Sequence, residues 1–195
     1  MLMLNHWKIK RLTKKIKAMQ ANRVNNQPAD EILHKEIAYY HELAHLYQSL
    51  KGYKKEPYAQ IMHEESLRAA ADLNDAQANF QLGKLNLDEA KYRERLQQEG
   101  VFKSEINQLK LQELYKEAHA YLTAAIKLSH IEAKRLKGLC AINGWGVPVD
   151  KEGGFELVVA SIEQEGSWEQ VPQIFAAIGL NKPEFFAAIM QRRRK

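Results

Sequence analysis

AAIKLSHIEAKRLKGLCAINGWGVPVD, residues 124–150, is the stretch that decides the fold, because it is typical of a helix, a short turn, a second helix and a glycine-punctuated loop. Small residues stand where two helices must approach closely, at Ala124, Ala125, Ala133 and Gly138. Residues 70–83 repeat the first half of this order, with a small-residue helix end, a polar turn and a helix that opens with alanine. Such self-similarity predicts an all-α repeat protein, a class that mostly binds other proteins.

The length and composition are typical of one soluble domain or one short solenoid. The chain has 195 residues, of which 45% are hydrophobic and 27% charged. It has no apolar run long enough to span a membrane, and residues 1–10 lack the apolar core of a signal peptide. We therefore expect a cytoplasmic protein, whose contact with the inner face of a membrane would be peripheral and made through a complex. The single cysteine, Cys140, is expected to be a packing residue and not a nucleophile.

The net charge of +5 comes from the two ends of the chain. Six lysine and arginine residues lie within residues 8–17, before any acidic residue, and Arg192, Arg193, Arg194 and Lys195 close the chain. Without these ten residues, 19 basic residues remain against 24 acidic ones. The body is therefore mildly acidic, and only its ends are basic enough to attract an anionic surface.

Residues 5–20 are predicted to form an amphipathic helix with Asn5 as its cap. Its apolar face consists of Ile9, Leu12, Ile16 and Met19, and its cationic surface includes Lys14, Lys15 and Lys17. The lysines either dock on an anionic membrane or an acidic protein, or are solvated while the apolar face packs on the first repeat. Nucleic acid is the weakest candidate, because Trp7 is the only aromatic residue here that could stack on a base. Residues 21–29 are predicted to be a linker.

Six further helices are expected from apolar spacing and helix-end signals, at about residues 30–50, 57–73, 76–98, 105–128, 131–142 and 151–164. A polar insertion, residues 92–104, lengthens the middle unit. Two similar segments, residues 174–178 and 185–189, are expected to cap the array; the alternative is that the last helix docks into a partner's groove. The predicted organisation is a basic helix and linker (1–29), a helical repeat domain (30–168) and capping helices with a basic tail (169–195).

The loop Gly144-Trp145-Gly146-Val147-Pro148-Val149-Asp150, together with residues 70–83, resembles Sel-one-like repeats, which are relatives of the tetratricopeptide repeat. The similarity covers roughly residues 40–165, with Gly144, Gly146, Val147 and Asp150 as the matched turn. Departures are Lys137-Gly138 in place of Leu-Gly and Gly153-Gly154 in place of Lys-Ala. The resemblance implies a short right-handed α-solenoid of antiparallel helix hairpins that holds other proteins, as in adaptors of bacterial secretion, signalling or host-interaction machinery. It also implies that the matched glycines are structural.

His41-Glu42-Leu43-Ala44-His45 is an HExxH sequence, the zinc-binding signature of metalloproteases. On a helix His41 and His45 lie one turn apart and could bind zinc, with Glu42 as the base that activates a bound water and Glu64 as a third ligand. The sequence shows no strand pattern for the sheet of a substrate cleft, and packing in a repeat's first helix also explains half of the motif. A zinc metalloprotease or metal-binding protein is therefore the alternative.

The sequence as a whole predicts a non-enzymatic adaptor or scaffold subunit of a larger assembly, without catalytic residues or a cofactor. Its partner is expected to be one or more proteins in a complex. Three candidate binding surfaces follow. They are the histidine stripe (His34, His41 and His45), the insertion (Tyr92, Arg93 and Arg95) and the basic ends, of which Lys14, Lys15 and Lys17 form the first.

Overall fold

The computed structural model describes residues 2–25, 30–53, 56–101 and 103–193. In these ranges the chain forms nine α-helices and one turn of 3-10 helix (Trp168–Gln170), and no strand. The helices are α1 (Leu2–Asn25), α2 (Asp30–Leu50), α3 (Ala59–Asp72), α4 (Ala76–Gln98), α5 (Glu105–Lys127), α6 (Ile131–Asn143), α7 (Lys151–Glu165), α8 (Val171–Ala177) and α9 (Pro183–Arg193). The all-α prediction is confirmed, and packing between consecutive helices is compatible with the predicted solenoid. No helix among the described residues is long and apolar enough to cross a membrane.

The chain divides into two compact units, Met1–Leu85 and Asn86–Lys195, and the division falls inside α4. In unit 1, α1 packs on α2 and α2 packs on α3. In unit 2, α5 packs on α6 and α6 packs on α7. The predicted segments, residues 1–29, 30–168 and 169–195, stay a prediction.

The two similar sequence segments fold into the same turn. In the first segment the N–H groups of Leu73 and Asp75 donate to the carbonyl of Ala70, and that of Asn74 donates to the carbonyl of Ala71. In the second, the N–H groups of Leu128 and His130 donate to the carbonyl of Ala125, and that of Ser129 donates to the carbonyl of Ile126. Asn74 and Ser129 are the turn residues with positive φ, 60° and 66°. The next side chain then caps the following helix: Asp75 accepts from the N–H of Ala78, and His130 from that of Ala133. The internal duplication read from the sequence is therefore present in the structure.

Helix α1 is longer than its sequence pattern indicated. Asn5 was expected to cap it and Asn22 to lie in a linker, but both are inside the helix, which runs to Asn25. The remaining predicted linker positions, 26–29, lie outside the described residues. The extra turn makes a contact with α2: the Arg23 guanidinium lies 3.7 Å from the carboxylate of buried Glu36. The polar composition alone did not reveal this contact.

The core of unit 1 includes part of the predicted apolar face of α1. Leu12 and Ile16 of α1 are 5% and 4% exposed, so the predicted apolar face of the helix packs inward. Tyr40, Leu43, Leu46 and Leu50 are buried along α2 at helical spacing. Lys10, Lys14 and Lys17 of α1 are exposed on the rest of the helix surface, whereas Lys15 contacts Tyr39 of α2.

Helices α8 and α9, at the end of the chain, pack on the core that α6 and α7 share. Phe155 of α7 stacks with Phe185 of α9 at 5.6 Å between ring centroids, and Phe175 of α8 lies 5.2 Å from Phe186. Phe175 and Ile189 are buried in the same core as α6 and α7. The predicted alternative, docking of Phe185 and Phe186 into a partner, would have to pull both rings out of this core. The basic tail residues Arg194 and Lys195 lie outside the described residues.

Cys140 is a packing residue. Its side chain is 0% exposed inside α6, and burial raises the pKa of the thiol to about 11. A thiol that is protonated and inaccessible is a poor nucleophile. The backbone carbonyl of the same residue accepts the N–H of Trp145, so Cys140 also helps to start the glycine loop.

Candidate interaction surfaces

The α4–α5 hairpin is held by a row of polar bonds between its two helices. The Asn86 amide donates to Glu117 at 3.0 Å, the Tyr115 hydroxyl donates to Glu94 at 2.6 Å, and Arg93 donates to Asn107 at 3.2 Å. Because Tyr115 is buried and bonds to the Glu94 carboxylate, its pKa is raised above the ordinary tyrosine value. These bonds fix the hairpin and leave its outer side chains in a defined arrangement.

The tip of this hairpin exposes apolar side chains. Val101, Ile106 and Leu109 are 59%, 81% and 60% exposed, which is unusual for large aliphatic residues. We call these three residues the hairpin tip. Beside them is an open groove of about 660 Å³, whose lining residues are mostly polar or charged in type although most of the lining surface is apolar. Its lining residues are Glu94, Gln97, Gln98, Lys103, Ser104, Glu105, Gln108 and Leu111.

The three insertion residues chosen from the sequence lie on α4 and serve different purposes. Tyr92 is half exposed and stacks with the Arg95 guanidinium, 5.4 Å from the ring centroid. Arg95 is exposed, and its other neighbour is Glu99 at 3.9 Å. Arg93 is engaged within the hairpin, since it bonds to Glu89 at 2.6 Å and to Asn107. Tyr92 and Arg95 are therefore available to a partner, whereas Arg93 holds the hairpin together.

The predicted histidine stripe on α2 is only partly solvated. His34 and His45 are exposed, as expected. The His41 side chain is 27% exposed, and its Nε2 atom lies 2.7 Å from Oδ1 of Asp75. That oxygen also accepts the N–H of Ala78, so one carboxylate caps α4 and contacts α2. His41 is thus a structural residue of unit 1, and its role differs from that of its two neighbours in the stripe.

The residues of the HExxH alternative do not gather into a metal-binding group. Glu42 is exposed, and Glu64 accepts a hydrogen bond from Gln60 on its own helix at 2.5 Å. His63, next to Glu64, is buried and bonds to the carbonyl of Ala44 at 2.8 Å. Within the described ranges, no group of three or more His, Cys, Asp or Glu residues could hold a metal ion. The zinc-binding alternative therefore stays a prediction.

Replacing His41 by alanine is expected to lower the free energy of unfolding by about 1.5 kcal/mol, because the substitution removes a hydrogen bond to a carboxylate. The same change at exposed His45 is expected to have almost no effect. Urea unfolding of both variants measures the difference. The zinc content of the untagged protein provides a second test. If the protein contains stoichiometric zinc and either substitution abolishes it, both histidines are metal ligands and the structural role of His41 is wrong.

The lysines predicted to form a docking surface on α1 do not all point to solvent. Lys15 is half-buried: its Nζ lies 4.8 Å from the Tyr39 ring centroid and 3.3 Å from the hydroxyl. Lys14 and Lys17 are exposed. Next to Lys15 is a cavity of about 190 Å³ between α1 and α2. It is lined by Trp7, Lys8, Arg11, Leu12, Lys15 and Glu42.

The glycine loop after α6 is a structural turn that is anchored to unit 2. Gly144 ends α6 with φ of 71°, and the Asp150 carboxylate caps α7 by accepting the N–H of Gly153 at 2.8 Å. The Trp145 carbonyl accepts a hydrogen bond from His119 of α5 at 2.9 Å. The Trp145 ring lies under the Lys91 ammonium, at 3.7 Å. The matched turn residues therefore position the start of α7. Gly144 and Gly146 have structural roles in this turn.

Ile106 and Leu109, two of the highly exposed apolar residues of unit 2, were not identified from the sequence. Ile106 and Leu109 fall outside the apolar stripe of α5 that contains Leu111, Leu114 and Ala118. A helical wheel of α5 would have shown both on the opposite side. Apolar residues off the core stripe of a helix were the available signal.

Comparison of the chain with protein-family models, with curated proteins and with solved structures finds no match. The resemblance to Sel-one-like repeats therefore stays a prediction based on the glycine loop and the alanine-rich segment.

Proposed function

We propose that this protein is a non-enzymatic adaptor whose main protein-binding surface is the hairpin tip of unit 2. The observation that carries the proposal is the exposure of Val101, Ile106 and Leu109 on a hairpin that polar bonds hold in place. Leaving three aliphatic side chains in water is unfavourable unless another molecule covers them. An adaptor subunit meets this condition when it is assembled with its partner.

The chemistry around the tip fits a protein partner. Specific protein interfaces have an apolar centre that is surrounded by a polar rim. Here Ile106 and Leu109 lie one turn apart, and the charged residues Glu105, Lys110 and Glu113 of the same helix surround them. The adjoining groove carries glutamine and serine side chains, which can bond to the backbone of an extended or helical segment. We therefore infer a partner with a small apolar patch and polar edges.

Changing Ile106 and Leu109 together to glutamate is expected to reduce recovery of the partner about a hundredfold, because charges in the centre of an interface cannot be desolvated. The test is quantitative mass spectrometry of proteins that co-purify with the lightly tagged chain from its own cells. The matched control is Gln112→Glu with Ala120→Glu, which adds the same two charges at exposed positions of α5. Circular dichroism checks that each variant stays helical.

The control should recover the same stoichiometric partner as the parent chain. If the tip variant and the control recover the partner equally well, the binding surface lies elsewhere on the protein. The exposed pair Tyr92 and Arg95, or the exposed histidines His34 and His45, would then be tested by the same assay. A parent chain that purifies alone, at its natural level and at low salt, would remove the support for an adaptor.

A further inference from the structure

Two rows of side chains on α1, outside its buried core face, share one order. The first row, at positions i, i+4, i+7 and i+11, is Leu4, Lys8, Arg11 and Lys15. The second row, beside it, is Met3, Trp7, Lys10, Lys14 and Lys17. Each row begins with apolar residues in the first turns and continues with cations. Apolar and cationic residues are therefore separated along the length of the helix as well as around it.

The apolar end of α1 is uncovered in the structure. Met3, Leu4 and Trp7 are 88%, 56% and 57% exposed. We call these residues the α1 tip. The loop after α2 lies beside them, since His6 contacts Glu56 at 2.6 Å, and this loop carries Tyr53 and Tyr58, which are 48% and 69% exposed. One end of unit 1 thus presents a tryptophan, two tyrosines and two aliphatic side chains to solvent.

The cationic part of α1 carries almost no compensating charge. The helix contains seven lysine and arginine residues and no aspartate or glutamate. Arg23 of α1 forms an ion pair with buried Glu36 at 3.7 Å. Among the described residues, no lysine of α1 forms an ion pair. Lys10, Lys14 and Lys17 are all exposed. This surface is therefore complementary to a surface of high negative charge density.

We propose that α1 docks on a bilayer that contains anionic lipids, with the α1 tip in the interfacial region and Lys10, Lys14 and Lys17 above the headgroups. Tryptophan and tyrosine prefer the membrane interface, and lysines near an anionic bilayer are attracted to its phosphates. The core face of α1, with Leu12 and Ile16, stays packed on α2 during docking. Unit 1 would thus keep its fold when it binds.

The shape of the tip favours lipid over an acidic protein. A helix that enters a protein groove presents one apolar stripe along its length. The apolar residues of the tip are instead confined to the first two turns, so they cover one end of the helix and do not continue as a stripe along it. A fluid bilayer can accommodate such a short apolar end, and it needs no groove of matching shape.

Sedimentation of the full chain with vesicles tests the proposal. Binding is expected to vesicles of phosphatidylcholine that contain one third phosphatidylserine, and not to vesicles of phosphatidylcholine alone. Replacing Lys10, Lys14 and Lys17 by glutamine is expected to weaken binding roughly a hundredfold, about fivefold for each lysine. The charge-matched control replaces the exposed lysines Lys84, Lys116 and Lys182 by glutamine and is expected to bind like the parent.

A second measurement reports on the tip itself. Brominated lipids quench tryptophan only at close range, so the parent chain is expected to lose fluorescence with anionic vesicles, and Trp7→Phe should remove that loss while Trp145 and Trp168 remain. Equal binding of both lysine variants would overturn the proposal, as would anionic binding without quenching. Failure to bind any vesicle, together with binding to polyglutamate, would assign α1 to an acidic protein. None of these outcomes depends on the hairpin tip of unit 2.

Discussion

Replacing Gly146 by alanine is expected to lower the free energy of unfolding by about 3 kcal/mol. Two costs combine at this position. The backbone has φ of +69°, which disfavours any L side chain, and an added Cβ would lie 2.5 Å from both Cβ and Cγ of Tyr115. Tyr115 cannot move away easily, because it is 7% exposed and its hydroxyl bonds to Glu94. Thermal and urea unfolding measure the loss.

Gly166 provides the matched control for this substitution. It has nearly the same backbone angle, φ of +68°, but an added Cβ would meet nothing within 4 Å. Gly166→Ala should therefore lower the free energy of unfolding by only about 1 kcal/mol, the cost of the backbone conformation alone. The difference between the two variants isolates the contact with Tyr115. Similar losses for both would mean that the loop does not pack on α5 as described.

Replacing Gly154 by alanine is expected to cost about 3 kcal/mol as well, for a different reason. Gly154 lies in α7 with ordinary helical geometry, so backbone strain is absent. Its added Cβ would lie 2.6 Å from the carbonyl oxygen of Gly138 and 2.9 Å from the backbone nitrogen of Ile142, both in α6. Backbone atoms cannot rotate away as a flexible side chain can, so the two helices would have to separate.

The adjacent glycine tests this explanation within the same turn of helix. At Gly153 an added Cβ would meet the carboxylate of Asp150, the end of a side chain that can rotate. Alanine there weakens a cap and gains helix propensity, two effects of about 1 kcal/mol that oppose each other. We expect Gly153→Ala to change the free energy of unfolding by less than about 1 kcal/mol. If Gly154→Ala is equally mild, the close approach of α6 and α7 is not required for stability.

Gly146 and Gly138 show which structural roles of glycine the sequence alone indicates. Gly146 was recognised as a turn residue and Gly138 as a point of close helix approach, because glycine in a repeated pattern is a local signal. The partner of Gly138 was not identified, since Gly153-Gly154 was interpreted only as a departure from a resemblance. A sequence shows that a residue is small, but the opposing helix shows which of two neighbouring glycines must be small.

The histidines of α2 show the same limit. His41 and His45 have the same residue type and the same helical spacing, and the motif treats them alike. Asp75, far along the chain, distinguishes them, because its carboxylate contacts His41 and leaves His45 exposed. The exposed residues Ile106, Leu109, Met3 and Leu4 were overlooked for a related reason, since apolar residues are expected to be buried unless a neighbour is missing.

The sequence by itself determined the local elements of this protein: the helices, the duplicated turn at Asn74 and Ser129, and the glycine ends of α6 and α7. Helix periodicity, capping and positive φ depend on residues within a few positions of each other, so they can be read from one chain segment. Only the tertiary structure decided which cations remain free, which histidine is structural and which apolar residues stay in water. Those properties depend on residues that are distant in sequence, and their free energies arise when the helices pack.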